Sequence, residues 1–191
     1  MRLTGQESLL SGELKLEAST LDFWQWGFSN LRFNDVRGVF AEWLVGKLLG
    51  IPLTVRSSWD EYDLETPQCV KIEVKAAAYL QAWPQKQPSR IQFNRLKGRT
   101  WRSESGYAMT AKCNADLYVF CIQIERDPES WNALDVSQWR FYLLTKERVE
   151  TIGCRSIGLG TLAKHAQEMK ADEFVQVAGE AIRSVAVRTD D

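Results

Sequence analysis

Asp63, Glu73 and Lys75 lie in one short segment, YDLETPQCVKIEVKAAAY, residues 62–79. Side chains alternate between the faces of a strand. Positions 62, 64, 70, 72 and 74 are apolar or aromatic, while 61, 63, 65, 71, 73 and 75 are all charged. A hairpin turning about Pro67 would set Asp63 opposite Lys71 and diagonal to Glu73, with Cα atoms about 7–8 Å apart. Two carboxylates at that separation can share a divalent ion. Mg²⁺ suits such a place, because it takes one or two carboxylates, keeps several waters and accepts phosphate oxygens. An ion there polarises a phosphorus centre and acidifies a bound water. A lysine on the same face can orient that water or neutralise charge building in the transition state. The same alternation also describes the wet face of an ordinary sheet. Glu-x-Lys recurs at Glu13–Lys15 and Glu168–Lys170, so the tripeptide carries no weight alone. The copy at 73–75 differs in its β-like run and in the aspartate on the partner strand.

Several elements must position these residues. Asn34 or Asp35 can cap a helix in which Val36, Val39, Phe40, Trp43, Leu44 and Leu48 recur at helical spacing, and Gly50 and Pro52 stop it. PLTVRS (52–57) reads as a strand, followed by the hairpin. RIQFN (90–94) is a further strand candidate inside the long connection 76–114. ADLYVFCIQI (115–124) is a continuous apolar run, as a buried central strand should be. QWRFYLL (138–144) is the next strand, and Thr145 can cap a short helix after it. Two helical pieces are expected in the tail, Leu162 to Met169 and Ala171 to Val187. The first ~33 residues, with the Trp-rich FWQWGFSNLRF, read as packing or irregular structure. The order predicts an α/β protein, a central mixed β-sheet with helices packed on it, in a single domain over 1–191. Its core spans about 34–145, with a helical part over about 146–191.

In this context the residues resemble the PD-(D/E)XK nuclease superfamily, the restriction-endonuclease-like fold, and an uncharacterised bacterial family of that fold. The signature is an Asp on one strand and a Glu/Asp-x-Lys on the next, within an αβββαβ core; here YDL and EVK match, ten positions apart from Asp63 to Glu73. The resemblance covers Asn34 to Ile124. It implies Asp63 and Glu73 as metal ligands for Mg²⁺ or Mn²⁺, with the Val74 carbonyl as a third, and Lys75 as the catalytic lysine. Glu42 would be an auxiliary acid on the helix, or else an ordinary exposed glutamate. It lies off the apolar stripe, with Gly38 and Gly46 one turn to either side leaving it uncovered. Two departures stand out. Tyr62 occupies the position of the Pro in the family's name, and the crossover after Lys75 holds two prolines and no amphipathic helix.

Net charge is −1, yet Lys71 to Ala115 holds nine basic residues against Glu73 and Glu104, a local +7. Lys86, Arg90, Arg95, Lys97, Arg99 and Arg102 follow the site directly and could hold phosphates on either side of a cut; Gln92 is a weaker candidate. Trp83 and Trp101 could stack on bases, but packing is the expected role.

Four cysteines with no C-x-x-C and a single histidine offer neither a structural zinc site nor a Ser-His-Asp arrangement. Cys121 reads as core, and His165 as a surface or half-buried helix residue. No segment reads as a signal peptide or membrane span, so a cytoplasmic protein with no nucleotide cofactor is expected. The expectation is a Mg²⁺-dependent endonuclease acting on double-stranded DNA, in restriction, repair or mobile-element defence. A homodimer would supply two sites for two strands. The alternatives are a non-catalytic nucleic-acid-binding module on the same fold and an α/β protein-interaction domain.

Overall fold

The computed structural model describes residues 2–57, 60–99, 101–102 and 106–189. The chain opens on a hairpin, β1 (Ser8–Ser11) and β2 (Leu14–Ser19), leading into helix α1 (Thr20–Phe28). Ser19 and Asp22 form a reciprocal capping box that starts α1. The Trp-rich piece is thus largely helical, and it is exposed rather than packed, with Trp26 at 85%.

Helix α2 (Asn34–Leu48) follows. Its cap is Phe33, with no side-chain hydrogen bond to the first turn, rather than Asn34 or Asp35. Its inward face is also rotated from the expected stripe. Ala41, Leu44 and Val45 are buried, together with Arg37 and Glu42, whereas Val39 and Trp43 are exposed. The segment 52–57 is irregular, not a strand.

The main sheet has the order β3 (Leu64–Glu65), β4 (Lys71–Ala78), β8 (Leu117–Gln123), β9 (Trp139–Thr145). Between β4 and β8 the chain makes β5 (Gln92–Asn94), β6 (Trp101–Arg102) and β7 (Gly106–Tyr107). Strands β3 and β4 are antiparallel, β4 and β8 parallel, β8 and β9 antiparallel. The sheet is therefore mixed and flanked by helices, an α/β fold. Among the described residues, the connection from β4 to β8 contains strands and irregular chain but no helix.

Beyond β9 come α3 (Lys146–Ile152), β10 (Ser156–Gly158), the single turn α4 (Leu159–Leu162) and α5 (Ala171–Thr189). Thr145 caps α3 by accepting from the Arg148 N–H. The expected helix from Leu162 to Met169 is mostly turn, and His165 lies there, half-buried, with no partner for Nδ1.

Both faces of the sheet are covered. On one, α2 and α5 pack over Val74, Val119, Cys121 and Phe141, with Phe141 stacked on Phe174 at 4.7 Å. On the other, the β5–β10 pair, α3 and α4 cover Tyr118, Phe120 and Ile122, with Phe93 edge-on to Phe120 at 5.0 Å. Strand β8 is buried at every position because it has a neighbour on both edges and a layer on both faces.

Candidate active site

The hairpin that presents Asp63 is set by its loop. Cys69 N–H donates to Thr66 O at 2.9 Å and Thr66 N–H to Val70 O at 3.0 Å, with Cys69 in the left-handed region at φ 60°. That is a three-residue loop closed by one left-handed residue. It moves the ladder along, so Glu65 opposes Lys71 and Leu64 opposes Ile72. The register expected from a turn at Pro67, with Asp63 opposite Lys71, is corrected. Asp63 instead reaches the far side of Ile72, and its N–H donates to Ile72 O at 3.1 Å.

Strand β3 ends its pairing there, and among the described residues no strand lies beside the edge of β4 beyond Ile72. The Asp116 N–H bonds Lys71 O, so in the parallel ladder the odd residues of β4 turn their backbone groups toward β8. Val74 and Ala76 therefore turn theirs toward the free edge. The Asp63 Oδ2 accepts from the Val74 N–H at 2.7 Å, and the Val74 carbonyl faces the same side.

Glu73 and Lys75 share the face of β4 that lies beside Tyr118 and Phe120 of β8. Both are half-buried and form an ion pair, Lys75 Nζ to Glu73 Oε1. Alternation holds along this strand, with Ile72 and Val74 buried. The charged face is only partly open to solvent, and segment 95–99 and Tyr118 line the cleft beside it. Asp63, Glu73 and Lys75 line one small cleft of about 260 Å³ with Arg95, Lys97 and Arg99.

A larger cleft of about 780 Å³ also reaches the β4 edge. Glu42, Asp63, Lys75, Arg90, Gln92 and Arg95 line it, with the Val74 backbone. Asp63, Lys75 and Arg95 thus line both clefts. Arg95 is itself in the left-handed region, at φ 58°.

Glu73 and Glu42 are close enough to perturb Asp63. Burial, and then the charges of Glu73 and Glu42, push the Asp63 carboxyl up to about 7 against the pull of Lys75 and the Val74 N–H. Glu42 is not uncovered as expected. Leu53 crowds the Gly46 side, where an added Cβ would meet Leu53 Cδ2 at 2.6 Å, while the Gly38 side is open. Glu42 is 9% exposed and held by both Nε and Nη2 of Arg56, the latter at 2.9 Å. That hydrogen bond raises the Arg56 guanidinium above its ordinary value.

Among the described residues, no three His, Cys, Asp or Glu side chains are grouped to hold a metal ion. The available donor set is Asp63, Glu73 and the Val74 carbonyl, all hard oxygens. An Asp63 carboxyl raised by burial and by the charges of Glu73 and Glu42 marks a place where added positive charge is favourable, and those oxygens fit Mg²⁺ or Mn²⁺.

The basic block divides. Arg90 and Arg95 line the larger cleft, and Arg95, Lys97 and Arg99 the smaller, whereas Lys86 lies apart on the exposed 83–90 loop. The Arg102 side chain lies outside the described residues. Trp83 and Trp101 are half-exposed, at 50% and 47%. Trp83 lines the larger cleft.

Three cleft residues carry no motif and were not singled out from the sequence: Arg37, Arg56 and Gln81. The signal for Arg37 was present, an arginine between Val36 and Phe40 on a helix that must pack. No protein-family model matches the chain, and no curated protein matches it.

Proposed function

We propose that the protein is a metal-dependent nuclease of the restriction-endonuclease-like type, hydrolysing phosphodiester bonds in double-stranded DNA. The observation that carries this reading is the meeting of Asp63, Glu73 and Lys75 at the free edge of β4, in clefts whose remaining walls hold Arg90, Arg95, Lys97 and Arg99. Asp63, Glu73 and the Val74 carbonyl would hold Mg²⁺ or Mn²⁺. When bound, such an ion supplies charge neutralisation at phosphorus and a more acidic water. Asp63 is kept in place by the Val74 N–H. Lys75 exchanges its Glu73 partner for the developing charge on the scissile phosphate. Arg56 holds Glu42 as a fixed anion on the wall of the larger cleft. The arginines on either side bind flanking phosphates and set the duplex in register.

The second reading is a non-catalytic binding module, favoured by the pairing of Glu73 with Lys75 and of Glu42 with Arg56. Supercoiled and linear DNA incubated with Mg²⁺ or Mn²⁺ separates the two. Nicking by wild type that falls at least 100-fold in Glu73→Ala and Lys75→Ala, with folding intact by circular dichroism, supports the nuclease. Salt-sensitive binding without cleavage, unchanged in Glu73→Ala, leaves the module.

A further inference from the structure

Arg37 is a buried cation without an anion. It is 4% exposed, and none of the ion pairs among the described residues reaches it. Its partners are neutral oxygens. Nη1 donates to Arg32 O at 3.0 Å, Nη2 to Asn34 Oδ1, and both lie 3.4 Å from Gln81 Oε1. Nε has no acceptor. A guanidinium placed this way usually has a carboxylate or phosphate to answer it. Its burial lowers its pKa to about 10, with no neighbouring carboxylate acting against that shift.

A second feature converges on the same place. Arg37 lies in the second turn of α2, a 15-residue helix whose first turn has no side-chain cap. The first N–H groups of a helix seek an acceptor, and its dipole favours an anion there. Asn34, Asp35, Arg37, Gly38 and Gln81 all line the larger cleft, and Gly38 has open space where a Cβ would be. Asp35 is the one acidic residue of this turn, and it is exposed. Arg90 and Gln92 stand on the walls of the same cleft.

We infer that Arg37 and the first turns of α2 form an anion subsite that takes a phosphate of the nucleic-acid backbone, separate from the phosphate at Asp63 and Lys75. The inference rests on the nucleic-acid reading above, and it adds a second point at which the substrate is held. Both Nη groups are already held by neutral oxygens, so Arg37 contributes its unanswered charge and the left-over Nε donor, and the first helix N–H groups supply the further donors that the oxygens of a phosphate accept. Because Arg37 is itself fixed by Arg32, Asn34 and Gln81, little is spent in ordering it on binding.

The test is binding of a fluorescent duplex by the full chain without divalent ions, across a series of salt concentrations. Arg37→Gln is expected to weaken binding about tenfold at low salt and to flatten the log K against log salt slope by about 0.9, the signature of one lost phosphate contact. Lys47→Gln, at the other end of α2, should change neither. An unchanged affinity and slope in folded Arg37→Gln overturns the subsite while leaving the nuclease reading intact. Should Arg37→Gln fail to fold, Gly38→Asp places a carboxylate at the subsite, where an added Cβ has nothing within 4 Å. It must weaken binding at least tenfold, or the inference fails. If wild type binds no DNA, the functional reading falls and inorganic phosphate decides the subsite alone. At matched ionic strength, phosphate should raise the melting temperature of wild type and not of Gly38→Asp. Equal shifts in both refute it.

Discussion

The Asp63 carboxylate accepts a hydrogen bond from the Val74 N–H at 2.7 Å, so the side chain just before β3 ties off the first backbone donor of β4 that β3 itself leaves unpaired. One aspartate therefore ends the hairpin ladder and begins the cleft. The contact holds an anion beside Glu73 and Glu42 in a half-buried place, and the cost of that arrangement is measurable.

The pH dependence of metal-free stability follows from it. An aspartate in the unfolded chain titrates near 3.8, while Asp63 in the folded protein titrates at about 7. Between those values the folded state keeps a proton that the unfolded chain has lost. Its contribution is full below about pH 4 and falls away as the pH rises toward 7. Asp63→Asn keeps an acceptor for Val74 but cannot ionise. In chelator at pH 8 it should be more stable than wild type by on the order of 1–3 kcal/mol, with the difference vanishing at pH 4. Urea midpoints at the two pH values check this. A variant that gains stability while losing nicking would show the carboxylate is kept for chemistry.

Arg95 offers a different separation. Its backbone is in a region that costs a non-glycine residue about 1–2 kcal/mol, and its side chain lines both clefts. Arg95→Gly should relieve the backbone and leave thermal stability within about 1 kcal/mol of wild type. Duplex affinity at low salt should drop several-fold, with the salt slope flattened by about 0.9. Calorimetry and anisotropy on the same preparation give both numbers.

The Glu42–Arg56 pair is a third case. Glu42 has a side chain 12% exposed and Arg56 one at 41%, so removing the arginine strands a mostly buried carboxylate. Arg56→Met should cost about 2 kcal/mol, less than a fully buried pair because Arg56 is half in water. Adding Glu42→Gln should recover most of it. A double-mutant cycle by chemical denaturation gives the coupling, and additivity would show that the contact contributes nothing.

Much of the fold was legible because its strands announce themselves by pattern. The run 117–123 is apolar throughout and becomes the buried strand β8, and the alternation at 71–75 survives in the burial of Ile72 and Val74. The register was not legible, because it depends on Cys69 adopting a left-handed conformation, and nothing about a cysteine advertises that. The face of α2 was misjudged for a related reason. Apolar periodicity assigns Val39 and Trp43 to the core, yet the helix turns Arg37 and Glu42 inward, where one lines an anion-hungry pocket and the other meets Arg56. Counting apolar residues cannot find polar groups buried for their charge. The strand expected at 52–57 failed because Leu53 covers Gly46 and Arg56 turns to Glu42, and among the described residues no strand pairs with the segment.

Strands β4 and β8 are parallel neighbours, but the chain between them runs from 79 to 116. The acidic part of the site, Asp63 to Lys75, lies in one hairpin and its immediate continuation, which a chain can close within microseconds. The basic part arrives with segment 90–99, which is seated by Phe93 against Phe120 and by β10 from far along the chain. Those contacts must wait for long loops to close. On loop length alone, the carboxylates are expected to come together before the arginines that line the same clefts, so the cationic walls would be a late addition to the site.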